Sequence, residues 1–248
     1  MMKFVYCKNY DEMSKRVAED LIGEIQANPE IVLGLATGST PEGTYQYLVN
    51  AYNEGKVDFS KVTSVNLDEY KGLGPDDDQG YRYFMNKHLF DHVNINKDRT
   101  FVPNGLEEDS EKACAEYEEI IKNVGGVDVQ ILGIGGNGHI GFNEPGDVFI
   151  RKTHCVDLTQ STLEANARFF DSIDDVPKQA YSMGVGNIMA TKKVILAVSG
   201  KNKAQALYDT LYGEVTPKVQ ASILQFHNNV VLYADEDALS VIKEKGLL

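Results

Sequence analysis

Val127-Asp128-Val129-Gln130-Ile131-Leu132-Gly133-Ile134-Gly135-Gly136-Asn137-Gly138-His139-Ile140-Gly141-Phe142-Asn143-Glu144-Pro145-Gly146 decides the fold, because an apolar strand empties directly into a loop built of glycines. Six of the fourteen residues from Gly133 to Gly146 are glycine, so several positions can take positive φ or lie against another group with no Cβ between them. The loop also carries His139 and Glu144, side chains that move a proton or steady its charge near neutral pH. A structural turn needs one or two glycines. Six, interleaved with two titratable residues, read as a ligand-binding loop.

Outward from this loop the chain alternates apolar strand and amphipathic helix. A helix is expected over Tyr10 to Ala27, stopped by Asn28-Pro29, then a buried strand over Ile31 to Ala36. Thr37-Gly38-Ser39-Thr40-Pro41 follows, with Thr40 as the cap of a helix whose first position is the proline. The strand Val62 to Leu67 ends at Asp68-Glu69-Tyr70, and a helix is expected around Tyr81 to Phe90 and another around Asp109 to Asn123. Ala165 to Phe170 ends a further helix; Lys193 to Ser199 is a strand, Gly200 to Ala204 starts a helix, and Asn229 to Tyr233 is a last strand before a helix begun at Asp235. Such alternation predicts a Rossmann-like three-layer α/β/α fold with a mainly parallel sheet. Ligands then sit at the carboxyl ends of the strands, where Thr37 to Thr40, Asp68, the glycine-rich loop and Gly200 emerge.

With 248 residues and no linker, repeat or low-complexity block, residues 1–248 are expected to form a single catalytic domain. A net charge of −13 with a pI near 4.8 argues against nucleic-acid and anionic membrane partners, which demand clustered Lys and Arg. No apolar run reaches membrane-spanning length and the start lacks the apolar stretch of a signal peptide, so a soluble, cytoplasmic protein is expected. Cys7, Cys114 and Cys155 form no C-x-x-C pair and suggest neither a disulfide framework nor a thiolate metal site.

Gly38, Ser39 and Thr40 offer backbone N–H groups and hydroxyls at a helix start, a natural phosphate site. The stretch matches neither the Walker A loop nor G-x-G-x-x-G, so ATP and NAD are not expected. Arg168 and Lys203 are candidates for the positive charge, although each taken singly also reads as a surface cation. Asp68, at a strand end, reads equally as a base or as a cap or salt-bridge partner. His139 is the candidate acid and base at a ring oxygen, with Glu144 orienting its imidazole. His88 and His92 lack the glutamate of H-E-x-x-H, and Asp76-Asp77-Asp78 meets Lys87 where a calcium loop needs glutamate, so no metal is implied.

The chain resembles the glucosamine-6-phosphate deaminase family nearly end to end. The resemblance rests on Leu33 to Pro41, Asn66-Leu67-Asp68-Glu69-Tyr70, the Gly-His-Ile-Gly-Phe-Asn-Glu-Pro core, Ala165 to Phe170 and Ser182 to Gly186. Phe142-Asn143-Glu144-Pro145 separates it from the related 6-phosphogluconolactonases, which with a non-catalytic sugar-phosphate sensor are the competing readings. The resemblance implies conversion of glucosamine 6-phosphate and water to fructose 6-phosphate and ammonia, in amino-sugar catabolism, with no redox cofactor or metal. In that scheme His139, supported by Glu144 and the residue at Asn137, opens the ring. Asp68 moves a proton between C2 and C1, and Ser39, Thr40, Arg168 and Lys203 hold the phosphate. Family members commonly have aspartate at Asn137 and serine at Gly80; the amide supports a charged His139 less, and the glycine is expected to loosen its loop. Long hexameric members bind an activator through basic residues beyond the Phe-Asn-Glu-Pro segment and a C-terminal extension. Here His154 and Val156 stand at two of those positions and the chain ends at Leu248, so activation is not expected and the oligomeric state stays open.

Overall fold

The computed structural model describes residues 2–247; the ends of the expected domain, Met1 and Leu248, lie outside them. In chain order the elements are β1 (Lys3–Cys7), α1 (Tyr10–Ala27), β2 (Val32–Leu35), α2 (Ser39–Asn53), β3 (Thr63–Asn66), β4 (Asp68–Tyr70), α3 (Tyr81–His88), β5 (Thr100–Phe101), α4 (Ser110–Asn123), β6 (Val129–Leu132), β7 (His154–Asp157), α5 (Gln160–Asn166), β8 (Gln179–Ser182), α6 (Val185–Met189), β9 (Lys193–Val198), α7 (Ala204–Tyr212), β10 (Val230–Asp235) and α8 (Ser240–Glu244). Seven strands pair in the order β1-β10-β9-β6-β2-β3-β5, every pair parallel.

Burial follows from the alternation of side chains along each strand. In β9, Ile195 and Ala197 join a core with Leu33 and Leu35 of β2 beneath α1, α2 and α3. Val194, Leu196 and Val198 point the other way, into a core closed by α4, α6, α7 and α8. The sheet is thus covered on both faces, and no helix among the described residues is long and apolar enough to cross a membrane. α1 shows how sequence sets one layer: Asn9 accepts a hydrogen bond from the Glu12 amide at its start, and Met13, Val17, Leu21 and Ile25, spaced by four, are all buried. Truncating Leu21 to alanine should cost about 2–5 kcal/mol.

Strand β2, beside the central strand β6, positions the site. From it the chain runs to β3 and β5 on one side and then to β6, β9 and β10 on the other, so the loops leaving β2 and β6 part and open a crevice between them. The two strands fit through Gly34, opposite Gln130: a Cβ on Gly34 would lie 2.1 Å from Oε1 of Gln130. Only glycine leaves room for that buried amide.

A second sheet, β4-β8-β7, is antiparallel and was not expected from the sequence. Its strands have three or four residues, too short to show a period of two. It relocates Asp68: the Leu67 amide makes the last ladder contact to Leu35 O at 3.0 Å, and Asp68 then opens β4 opposite Ser182. The helix expected at Asp235 starts only at Ser240. Asp235 instead ends β10, its carboxylate accepting from the Ala238 amide at 2.8 Å.

Candidate active site

The glycines of the loop after β6 have separate tasks. The Gly135 amide donates to His139 O and the Gly138 amide to Gly135 O, at 2.9 and 3.0 Å, closing a tight turn in which Gly138 has φ 84°. A Cβ on Gly135 would lie 2.4 Å from the His139 ring, so glycine there lets the imidazole fold back over its own loop. Asn137 Oδ1 accepts from the His139 amide at 3.2 Å. Asn143 then pins the far end, its Nδ2 donating to Ile140 O and Met183 O at 2.8 and 2.9 Å.

Glu144 sits behind His139 with 6% of its side chain exposed, its Oε2 3.5 Å from the imidazole Nδ1. That nitrogen is buried without a hydrogen-bond partner among the described residues, so the contact is a loose one. Oε2 accepts from Asn137 Nδ2 at 2.9 Å, and Oε1 accepts from the Thr162 hydroxyl. Burial works against ionisation of Glu144, but the neighbouring imidazole and then the Thr162 and Asn137 donors outweigh it and hold its carboxyl down to about 2. A fixed negative charge therefore stands behind His139.

Asp68 is the contrasting carboxylate. It is buried, no donor offsets its desolvation, and burial followed by the charge of Glu69 pushes it up to about 8. Gly141, two residues past His139, brings the glycine loop against it: a Cβ there would lie 3.5 Å from Asp68 Oδ2. A carboxylate kept out of water with no hydrogen bonds is basic and faces the cavity free to take a proton.

The third group forms an anion pole. α2 begins at Ser39, two residues earlier than expected, with Gly38 as its cap at φ 85° and no side-chain cap on its first N–H groups. Thr40 is inside the first turn and does not cap it. Arg168 crosses from the other side of the crevice, its Nη2 donating to Ser39 Oγ at 3.1 Å. Lys203 lies close enough that burial and then the charge of Arg168 weaken its hold on its proton. Two cations converging on a helix N-terminus suit a phosphate dianion.

One cavity of about 1300 Å³ joins these groups: Gly38, Ser39, Thr40, Asp68, Asn137, His139, Arg168 and Lys203 all line it, and Glu144 lies behind its wall. Sequence reasoning missed the aromatic floor in which Tyr81 stacks on Phe142 at 6.1 Å and Tyr70 packs on Tyr81 at 4.9 Å. It also missed Glu69, whose carboxylate accepts from the Tyr70, Tyr81 and Arg82 amides at 2.9 Å each and so caps α3. Nothing in the spacing of Glu69 and Tyr81 announces that contact. Gly80 corrects the expectation of a looser loop. A Cβ there would be 2.9 Å from Gly74 O and 3.1 Å from Asp77 O, so the glycine is packed and not slack. His88 ends α3, and His92, in the short turn Phe90–His92 that follows, has its Nε2 2.8 Å from Lys87 O.

Fold and site define an α/β enzyme with a crevice suited to a small phosphorylated molecule. The chain belongs to the family of glucosamine-6-phosphate isomerases/6-phosphogluconolactonase, whose model matches residues 8–232. It is 55% identical over 242 residues to the glucosamine-6-phosphate deaminase of Clostridium perfringens strain 13, covering 98% of this chain and 100% of the relative. The glucosamine-6-phosphate deaminase of Clostridioides difficile strain 630 is 53% identical, with 98% of each chain covered. A solved monomeric glucosamine-6-phosphate deaminase superposes with a TM-score of 0.95 at 44% identity, over 97% of this chain and 100% of that one. The 6-phosphogluconolactonase of Thermotoga maritima shares the fold alone, with a TM-score of 0.75 at 21% identity over 95% of this chain and 100% of its own.

Proposed function

We propose that this chain is a glucosamine-6-phosphate deaminase, converting D-glucosamine 6-phosphate and water to D-fructose 6-phosphate and ammonia in amino-sugar catabolism, with residues 1–248 acting as one catalytic unit in the cytoplasm. The observation that carries the reading is the placement at one crevice of two carboxylates with opposite environments: Asp68, lining it, pushed up to about 8, and Glu144, behind its wall beside His139, held at about 2. The likeness to full-length deaminases supports it, whereas the lactonases share little beyond the fold.

The phosphate docks against the amides at the head of α2, with the Ser39 and Thr40 hydroxyls, Arg168 and Lys203 around it. His139 takes the proton of the C1 hydroxyl and delivers one to the ring oxygen, opening the pyranose with no net proton change, and Glu144 and Asn137 hold the imidazole in place. Asp68 takes the proton from C2 of the open chain, leaving an enolamine, and returns it to C1. The product is an imine at C2; water adds there and ammonia leaves, so one water is consumed for each ammonia released. One carboxylate serves both carbons because they are adjacent and the group is basic. A coupled assay of ammonia and fructose 6-phosphate tests the reading: equal yields from wild type and at least a hundredfold loss in Asp68→Asn are expected, about the low end of what a general base contributes. A wild-type enzyme that releases no ammonia overturns it.

A further inference from the structure

The stretch that carries Arg168 also grips the carboxylate behind His139. Thr162 is buried, its hydroxyl donates to Glu144 Oε1, and it accepts from Thr159 Oγ1 at 3.1 Å. A threonine hydroxyl has one proton to give, and with Thr159 donating to it, that proton is committed to Glu144. The other oxygen, Oε2, stands 3.5 Å from an imidazole Nδ1 that has no hydrogen bond of its own. Six residues after Thr162, Arg168 reaches Ser39 Oγ at 3.1 Å. Residues 160–169 are helical throughout, α5 running into a tighter turn over Ala167–Phe169, so the two ends form one stiff piece.

We infer that Thr162 is a positioning residue that transmits phosphate capture at Arg168 to His139 through Glu144. The inference rests on the phosphate reading of Ser39, Arg168 and Lys203 given above. A dianion at the head of α2 offers Arg168 a charged acceptor in place of a neutral hydroxyl, a stronger partner with shorter bonds. The helical piece follows, Thr162 carries Oε1 with it, and Oε2 closes on Nδ1 to ordinary hydrogen-bond length, about 2.8 Å. Substrate without phosphate then loses turnover as well as affinity, because His139 is left loosely held.

The test follows the ring resonances of His139 in ¹³C-labelled enzyme as inorganic phosphate is added, beside steady-state kinetics, for wild type, Thr162→Val and Thr162→Ser. Phosphate should move the His139 signals in wild type and Thr162→Ser and much less in Thr162→Val. Thr162→Val should lose about tenfold in kcat with KM changed by less than about twofold, within the range by which residues on a coupling route act. Thr162→Cys, similar in size and a weak donor, takes its place should the valine variant not fold. A valine or cysteine variant with wild-type kcat and the wild-type phosphate response overturns the inference, as does equal loss in Thr162→Ser. Calorimetry of phosphate binding to wild type separates the two layers. No binding removes the phosphate pole and the inference with it, whereas binding without a His139 response removes the inference alone.

Discussion

Asp68 and Glu69 are consecutive residues of β4 whose carboxylates meet opposite surroundings: Glu69 accepts three backbone N–H bonds at 2.9 Å, and nothing but burial and the charge of Glu69 acts on Asp68. The strand's alternation sends one side chain toward α3 and the other into the crevice. Burial still outweighs the three amides at Glu69 and pushes it up to about 7. Glu69 therefore fixes the wall carrying Tyr81 and makes its neighbour more basic.

The pH dependence of catalysis follows from Asp68. Only the ionised form can accept the C2 proton, and in the free enzyme that form dominates above about 8. The expected kcat/KM falls about tenfold per pH unit below that value. Initial rates at low substrate between pH 5.5 and 9 measure it. A profile flat down to pH 6 would show that Asp68 is already ionised there and sink the uncompensated-carboxylate argument.

The same group sets a cost in stability. Asp68 binds its proton more tightly folded than unfolded, so its contribution is fully present below the unfolded value of about 3.9 and is lost as pH rises toward the folded value. Asp68→Asn keeps the shape and removes the titration. Its melting temperature should match wild type near pH 4 and exceed it by a margin that widens up to about pH 8 and then stays constant. At this chain length each kcal/mol corresponds to about 2–4 °C, well within calorimetric reach. Equal melting curves at pH 8 would contradict the prediction.

Gly80 supplies a purely steric prediction. Gly80→Ser puts a Cβ 2.9 Å from one carbonyl oxygen and 3.1 Å from another, both in the loop that Glu69 closes onto α3. Overpacking of this kind should destabilise by about 1–3 kcal/mol and raise KM by displacing Tyr81. Urea unfolding and substrate titration read the two effects. A serine variant as stable as wild type would mean that the loop yields, as the sequence alone suggested.

How much was legible depended on range. The three-layer fold could be read because its buried strands and helices repeat over many residues: α1 was expected over Tyr10 to Ala27 and is found there. The glycine loop could be read because His139 and Glu144 share it. What sequence could not show is convergence. Arg168 and Ser39 touch across 129 positions, and Gly141, in the loop after β6, lies against Asp68 of β4. The antiparallel sheet escaped because its strands are too short to carry a pattern, and Gly80 was misjudged because a glycine's freedom is local while its crowding is tertiary.

The anion pole gives the last prediction, and its form matters more than its size. Arg168 and Lys203 are held near each other, and the lysine's grip on its proton is weakened first by burial and then by Arg168. Removing Arg168 as methionine deletes hydrogen bonds to a charged group, worth about 1.5–3 kcal/mol, so KM should rise roughly 10- to 150-fold while kcat falls less. Arg168→Lys should recover only part, since a point charge lacks the guanidinium's fork. The loss also frees Lys203 from its like-charged neighbour, so Lys203 becomes a better partner for the dianion than it was beside Arg168. The double variant with Lys203→Met should then cost more than the sum of the two single losses. Additive losses in such a cycle, measured by phosphate inhibition constants, would mean that the two cations do not share one ligand.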